Sequence, residues 1–191
     1  MNKAEWLIKR RQGITGTDVS KIMGLSHWGS MKDVYFDKLG VSAPVVQNEK
    51  MLWGTKLEAL IRDHFAESNA VKVVEPGFIQ GKEDWIIGNP DGIVVDKHDK
   101  WEYGLEIKTA KVCTPSVKRL WEGKVPLDYE YQCRWYMLLT DLPYWRVAVL
   151  MNGSEYHDDH FIYRDEKLEQ QMYEMCSEFW HKFVVPKILP C

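Results

Sequence analysis

The sequence predicts an α/β (α+β) domain in which helices flank one central mixed β-sheet. Three observations lead to this class. Hydrophobic residues make up 45% and aromatic residues 13% of the 191 positions, which indicates a packed globular protein. Strand-like runs fill the middle of the chain, and helical patterns precede and follow them. Because no repeat, low-complexity tract or linker divides it, residues 1–191 are predicted to form a single domain.

Capping residues and apolar spacing predict four helices before the first strand. Ser30 with Asp33 three positions later is a capping-box pattern, and glycine commonly follows the end of a helix. The predicted helices cover about 3–11, from Thr15 or Thr17 to Gly24, from Ser30 to Gly40, and about 50–67. The last has apolar residues at helical spacing, namely Trp53, Leu57, Leu60, Ile61 and Phe65.

Short runs rich in Val, Ile and aromatic residues predict the strands, with three further helices among and after them. The predicted strands are 71–75, 78–80, 84–88, 91–96, 101–109, 144–151 and 155–163. The predicted helices are about 115–122, 127–140 and 165–184. The closing helix has an amphipathic pattern that suits either packing on the sheet or a contact with a subunit or partner.

Composition excludes several classes of protein. The formal net charge of −3 gives no global sign of a nucleic-acid partner, so any basic footprint must be local. The four cysteines include no C-x-x-C pair, which argues against a zinc or iron–sulfur site. No apolar run approaches membrane-spanning length, and no ATP-binding loop motif occurs. We therefore expect a cytoplasmic protein that does not associate with membranes.

The stretch G-L-E-I-K, residues 104–108, places two charged residues within a predicted strand. If the polar residues 97–100 form a four-residue hairpin loop, Asp96 pairs with Trp101, and Asp91 then lies opposite Glu106. Side chains alternate along a strand, so Glu106 and Lys108 share one face.

Two facing carboxylates repel each other, so a positive charge is expected between them. Lys108 is one candidate, and a divalent cation such as Mg²⁺ or Mn²⁺ is the other. The ordinary alternative is a solvated hairpin surface on which Glu106 simply pairs with Lys108.

Two helices place further polar groups near apolar positions. Glu58 lies at the edge of the apolar stripe of the 50–67 helix, with Gly54 leaving space one turn earlier. Gln132 shares a helical face with apolar residues of the 127–140 helix. A buried Gln requires hydrogen-bond partners, so it is either a structural bridge or a site residue.

These motifs together resemble a known family. The order Glu58, Pro90-Asp91, Glu106-Ile107-Lys108 and then Gln132 resembles the PD-(D/E)XK nuclease core. The segments R-R-Q-G-I-T-G-T-D-V-S-K-I-M-G-L and W-G-T-K-L-E resemble the YqaJ-like viral recombinase family, which includes bacteriophage lambda exonuclease. The resemblance spans about 11 to 140 and implies a restriction-endonuclease-like core.

The resemblance implies a role for each motif residue. The implied Mg²⁺ ligands, with Mn²⁺ as a substitute, are Asp91, Glu106, the main-chain carbonyl of Ile107, and Glu58 directly or through water. Lys108 would orient the attacking water or offset charge on the phosphate. Gln132 would position water or phosphate.

The resemblance also implies a pocket for a 5′-terminal phosphate. Its motif maps to Arg11 and Thr17, with Asn89 as a third member. The family pattern has one more residue between its Arg and the hydroxyl, so Arg10 competes with Arg11. The arginine fork suits phosphate recognition, whereas the ordinary alternative is a solvated helix end.

A local basic segment is consistent with a DNA track. Trp121 within it would either stack on a base or pack internally. The basic residues are Lys108, Lys111, Lys118, Arg119 and Lys124.

The resemblance implies a Mg²⁺-dependent 5′→3′ exonuclease of phage recombination, acting at double-stranded DNA ends. It would release 5′-mononucleotides and leave 3′ overhangs for a single-strand annealing protein, from a homo-oligomer, with a trimer favoured. In a phage- or prophage-encoded protein this would occur in the host cytoplasm. The alternatives are an endonuclease or flap or single-strand nuclease, and an inactive DNA-binding recombination accessory protein.

Overall fold

The structure, a computed structural model, describes residues 3–43 and 46–190. Its α-helices are α1 (Lys3–Arg11), α2 (Gly16–Ile22), α3 (Met31–Lys38), α4 (Glu49–Asn69), α5 (Pro115–Arg119), α6 (Leu127–Thr140) and α7 (Glu166–Phe179), which continues as a π-helical turn (Trp180–Val184). The strands are β1 (Lys72–Val74), β2 (Ile79–Gln80), β3 (Ile87–Gly88), β4 (Gly92–Val95), β5 (Trp101–Ala110), β6 (Tyr144–Met151) and β7 (Glu155–Tyr163).

The predicted central mixed sheet is confirmed. Five strands lie in the order β1-β4-β5-β6-β7, and β2 pairs with β3 separately. Only β5 and β6 run parallel, while the other neighbours in the five-stranded sheet are antiparallel. A parallel pair requires a crossover connection, and the segment carrying α5 and α6 provides it.

Helices cover both faces of this sheet. On one face Phe65 of α4 packs in a cluster with Leu105 and Ile107 of β5. On the other face, residues of α2, α6 and α7 join a larger core that contains Trp135 and Trp145, both fully buried. The alternating side chains of β5 therefore point toward different helices, and this places Glu106 on the α6 side.

Several predicted boundaries are wrong. The helix at 115–122 ends at Arg119, and the strand at 84–88 begins only at Ile87. Thr15 rather than Thr17 is the N-cap of α2. In α4, Trp53 is 54% and Leu60 63% exposed, so two of the five residues of the predicted apolar stripe are not covered.

The β4–β5 hairpin has the predicted register but a shorter loop than predicted. Asp96 bonds to Lys100 instead of pairing with Trp101, which leaves a three-residue loop with Asp99 at a φ of 61°. A bulge at Glu102 then shifts the pairing back by one residue. As a result, Gly92 lies opposite Leu105, the register that the longer loop had predicted.

Candidate active site

Glu106 occupies the centre of the candidate site. It lies in the middle of β5 and is 0% exposed. Its Oε1 atom contacts Lys108 Nζ and accepts a 2.6 Å hydrogen bond from Gln132 Nε2. Its Oε2 atom is buried and has no hydrogen-bond partner. A buried carboxylate with one unsatisfied oxygen is costly unless something positive completes its environment.

Asp91 stands directly before β4, next to this carboxylate. Its Oδ2 accepts a 2.8 Å hydrogen bond from the main-chain amide of Ile107. Continuing the register by one residue from the Gly92–Leu105 pair brings Asp91 opposite Glu106. The facing carboxylates predicted from the sequence are thus brought together at the junction of β4 and β5.

The electrostatics of the pair favour a bound cation. Burial, together with the charge of Asp91, raises the pKa of Glu106 to about 8, although Lys108 acts in the opposite direction. Burial by itself would lower the pKa of Lys108, but the charges of Glu106 and Asp91 outweigh it and raise that pKa. A divalent cation between Asp91 and Glu106 would allow both carboxylates to ionise near neutral pH.

Glu58 approaches from α4 but is engaged elsewhere. Its Oε1 accepts a 2.9 Å bond from Arg62, which also contacts Glu75. Burial and the charge of Asp91 raise the pKa of Glu58, so it senses the site electrostatically. With Ile107 and Lys108 it lines a cavity of about 160 Å³.

The donor set fits a hard cation without forming a complete ligand shell. Across residues 3–43 and 46–190, no three Asp, Glu, His or Cys side chains are grouped closely enough to hold a metal. A cation here would take oxygen ligands from Asp91 and Glu106, with the rest from the main chain and water, as Mg²⁺ prefers. The unsatisfied Glu106 Oε2 supports this fit.

Gln132 joins α6 to the site. It is buried, and besides Glu106 its Nε2 donates to Tyr136 Oη at 3.2 Å. The same α6 face places the Tyr129 ring 5.0 Å from Lys108 Nζ. Tyr129 and Tyr136 are not among the predicted site residues, although their spacing of three and four residues from Gln132 places them on its face.

At the predicted phosphate pocket, the structure places Arg10, and not Arg11, beside Thr17. Both terminal nitrogens of Arg10 lie 3.2 Å from Thr17 Oγ1, and one donates to Asp18 at 2.9 Å. The Arg11 side chain lies beside Gly40, and its buried Nε lacks a hydrogen-bond partner. Adjacent residues of α1 point in different directions, so Arg10 lies beside Thr17 and Arg11 does not.

A buried ion pair that sequence reasoning missed supports Arg10. Lys38 Nζ donates to Asp18 Oδ2 at 2.6 Å and to the Arg10 carbonyl at 3.0 Å. Burial would raise the pKa of Asp18, but Lys38 and Arg10 outweigh it and lower that pKa. Thr15 donates to the same carboxylate at 2.7 Å. No local motif marks Lys38, which is 28 residues from Arg10 in the chain.

The remaining predicted DNA contacts lie on the surface, except for Trp121. Asn89 is exposed between β3 and Asp91. Trp121 is only 7% exposed and packs between Tyr129 and His160, so it packs internally and does not offer a stacking surface. Within the described parts of the chain, the other basic residues of the segment are exposed and form no ion pair, namely Lys111, Lys118, Arg119 and Lys124.

Comparison with known proteins adds independent information. A sequence model of the YqaJ-like viral recombinase domain matches residues 5–143. The chain is 29% identical to the Bacillus subtilis (strain 168) protein YqaJ over 97% of its own length, and it spans 57% of that relative's length.

The helices of the structure were also compared with the length of a membrane span. No helix in the described residues is both long and apolar enough to cross a membrane.

Solved structures share the fold. An alkaline exonuclease from Laribacter hongkongensis, LHK-Exo, superposes with a TM-score of 0.76 at 21% identity, covering 97% of this chain and 94% of that one. The same enzyme in complex with dAMP gives a TM-score of 0.75. A phage-related exonuclease from Haemophilus somnus 129PT gives 0.61 at 12% identity, covering 87% and 91% of the two chains.

Proposed function

The chain belongs to the YqaJ-like viral recombinase family, and from this we propose that it is a metal-dependent exonuclease acting on double-stranded DNA ends. One observation carries the proposal. Glu106 is fully buried opposite Asp91, beside Lys108, with one oxygen left unsatisfied. A fold built only for stability gains little from such a pair, whereas metal-dependent phosphodiester hydrolysis makes use of one.

The proposed cofactor is Mg²⁺, with Mn²⁺ as a substitute. Asp91 and Glu106 would hold it, with the Ile107 carbonyl and Glu58 through water. When bound, the cation supplies Lewis-acid stabilisation of the charge that develops on the phosphoryl group. The Ile107 amide fixes Asp91, and Gln132 fixes Glu106, so neither carboxylate must reorganise on substrate binding.

Lys108 is the proposed electrostatic partner of the reaction. Its ammonium contacts Glu106 and lies over the Tyr129 ring, which restricts its position. Because nearby carboxylates raise its pKa, Lys108 stays protonated at neutral pH. It would therefore act as a fixed positive charge that orients the attacking water and offsets negative charge on the phosphate, not as a proton acceptor.

Arg10 and Thr17 support 5′-end recognition and hence 5′→3′ polarity. The Arg10 fork and the Thr17 hydroxyl are 3.2 Å apart, and Thr17 is exposed to an incoming phosphate. The duplex would contact Asn89 and three exposed basic residues, Lys111, Lys118 and Arg119. The products would be 5′-mononucleotides and a 3′ overhang. A homotrimer and a single-strand annealing partner are further proposals, which rest on family membership.

Nuclease assays on matched substrates test this proposal. Linear 5′-phosphorylated duplex, the same duplex with 5′-hydroxyl ends, and a covalently closed circle are incubated with Mg²⁺ or Mn²⁺. We expect release of mononucleotides from the phosphorylated linear duplex only, with loss of activity in Asp91→Ala and Glu106→Ala. Asp63→Asn, which removes an exposed carboxylate of α4, is the matched control.

Other results of these nuclease assays would change or refute the proposed function. Degradation of the closed circle would replace the exonuclease with an endonuclease, and preference for single strands or flaps would change the substrate class. If the pure protein releases no nucleotides with either metal, the enzyme proposal fails and an inactive DNA-binding accessory protein takes its place.

A further inference from the structure

An apolar groove adjoins the candidate active site. It has a volume of about 640 Å³ and lies between the first turns of α4 and the end of β5. Trp53 and Leu57 of α4 face Ala110 of β5 and Leu150 of β6 across it. Trp53 belongs to the predicted apolar stripe of α4 and is 54% exposed here.

The groove adjoins the smaller cavity beside the carboxylates. Gly54 and Thr109 line both the groove and the 160 Å³ cavity that contains Glu58 and Lys108. Gly54 lies one helical turn before Glu58 and therefore on the same side of α4. A molecule that reaches from the groove toward the site would pass directly over Gly54.

Packing within the protein does not require glycine at position 54. A Cβ atom built there would meet only Thr109 Oγ1, at 4.0 Å. At Gly16 and Gly104, by contrast, an added Cβ would lie 2.9 Å from Gln132 and 2.0 Å from Trp145, so those glycines are required by close packing. Glycine inside a helix weakens it relative to alanine. Gly54 thus leaves open space between the two cavities, at a cost in helix stability.

The rim of the groove carries two lysines and one carboxylate, that of Glu49. Lys50 and Lys111 line it, both are exposed, and neither forms an ion pair with any described residue. Lys108 lies at the far end, in the smaller cavity. An apolar slot with an aromatic wall and a rim on which lysines outnumber carboxylates matches a nucleotide, whose base is flat and apolar on its faces and whose phosphates are anionic.

We infer that this groove receives the base of the nucleotide next to the phosphate being cleaved, with Gly54 forming the open passage between base and phosphate. The inference rests on the proposed nuclease function. Trp53 and Leu57 would contact the base, and Lys50 and Lys111 would contact neighbouring phosphates.

Substitution of Gly54 tests the inference with readouts of opposite sign. Gly54→Ala should raise Tm by about 2–4 °C, because alanine favours the helix. Gly54→Leu should preserve folding and lower kcat/KM on phosphorylated duplex by at least about tenfold, because its side chain fills the passage. Ala59→Leu adds a similar side chain at an exposed position of α4 and should keep wild-type activity.

Substrates lacking a base provide the second test. Duplexes with abasic residues at the first three 5′ positions are compared with normal duplexes, in wild type and Trp53→Ala. Each change alone should reduce kcat/KM several-fold, and the combination should be no worse than either, since both remove one contact. Additive losses would overturn the assignment of Trp53 to the base.

Binding measurements separate this inference from the proposed catalysis. The affinity for a 5′-phosphorylated duplex with a short 5′ single-stranded end is measured in Ca²⁺. Gly54→Leu should weaken binding about tenfold relative to Ala59→Leu, even if the wild type cleaves nothing. If wild type cleaves DNA and Gly54→Leu matches it in cleavage and binding, the groove inference fails while the nuclease proposal stands.

Discussion

The main-chain amide of Ile107 donates a 2.8 Å hydrogen bond to Oδ2 of Asp91. This bond ties the residue before β4 to the strand that carries Glu106, at the end of the β4–β5 ladder. The Asp91 side chain therefore does two things. It accepts a hydrogen bond that fixes its position, and it places a negative charge opposite Glu106.

Asp91→Asn should separate those properties. The amide oxygen can still accept from Ile107, so we expect the free energy of unfolding to stay within about 1 kcal/mol of wild type. Loss of the charge should reduce nuclease activity by at least about 100-fold, because the proposed cation loses a ligand. Urea unfolding and release of acid-soluble nucleotides measure the two effects. Full activity of Asp91→Asn alongside the Asp63→Asn control would remove Asp91 from the site.

Gln132→Leu should weaken metal binding by way of Glu106. The substitution removes the 2.6 Å hydrogen bond to Glu106 Oε1 and puts an apolar side chain of similar size in its place on α6. Loss of such an outer-shell partner typically lowers metal affinity or activity about 10–100-fold. Calorimetric titration with Mn²⁺ measures the affinity directly. Gln171→Leu, at an exposed position of α7, is the control, and equal Mn²⁺ affinity in both variants would contradict the prediction.

Stability without metal should fall as pH rises, because of Glu106. Its pKa is raised from 4.5 to about 8 in the folded protein. Between those values the folded state keeps a proton that the unfolded chain has released, so the free energy of unfolding decreases with increasing pH. Relative to Glu106→Gln, the wild type should lose on the order of a few kcal/mol across this window in EDTA. Urea midpoints near pH 5 and pH 8.5 measure it, and parallel profiles for the two proteins would refute it.

The Asp18–Lys38 pair should behave as a buried ion pair. The Lys38 side chain is 0% and that of Asp18 2% exposed. Asp18→Ala leaves the Lys38 ammonium without its partner and should cost about 3–5 kcal/mol. Combining Asp18→Leu with Lys38→Met should recover much of that loss, because neither charge remains buried. Chemical denaturation of the single and double variants tests this, and a double variant less stable than Asp18→Ala would oppose it.

Arg10→Ala should affect end recognition more than stability. Arg10 is partly exposed and bonds to Thr17 and Asp18. We expect the preference for 5′-phosphate over 5′-hydroxyl ends to fall about tenfold or more, since a charge-assisted contact is lost. Arg11→Ala is the matched control and should retain the preference. Comparison of kcat/KM on the two substrates is the measurement, and loss of the preference in Arg11→Ala alone would reverse the assignment.

Local chemistry made much of the geometry of the candidate site predictable. Alternation along β5 placed Glu106 and Lys108 on one face, because the side-chain period of a strand follows from its backbone. The hairpin register at Gly92 and Leu105 was also correct, although the loop was one residue shorter than predicted. The shorter loop and the Glu102 bulge compensate for each other, and neither was visible in the pattern of polar residues.

The sequence by itself determined the mixed sheet, the facing carboxylates and the helix that carries Gln132, since these depend on periodicity and short-range pairing. Only the tertiary structure decided that Arg10 rather than Arg11 meets Thr17, that Lys38 is buried against Asp18, and that Glu58 pairs with Arg62. It also decided that Trp53 borders an open groove. Each of these depends on where separate elements pack against one another, and side-chain direction and burial at such junctions are set by the whole fold.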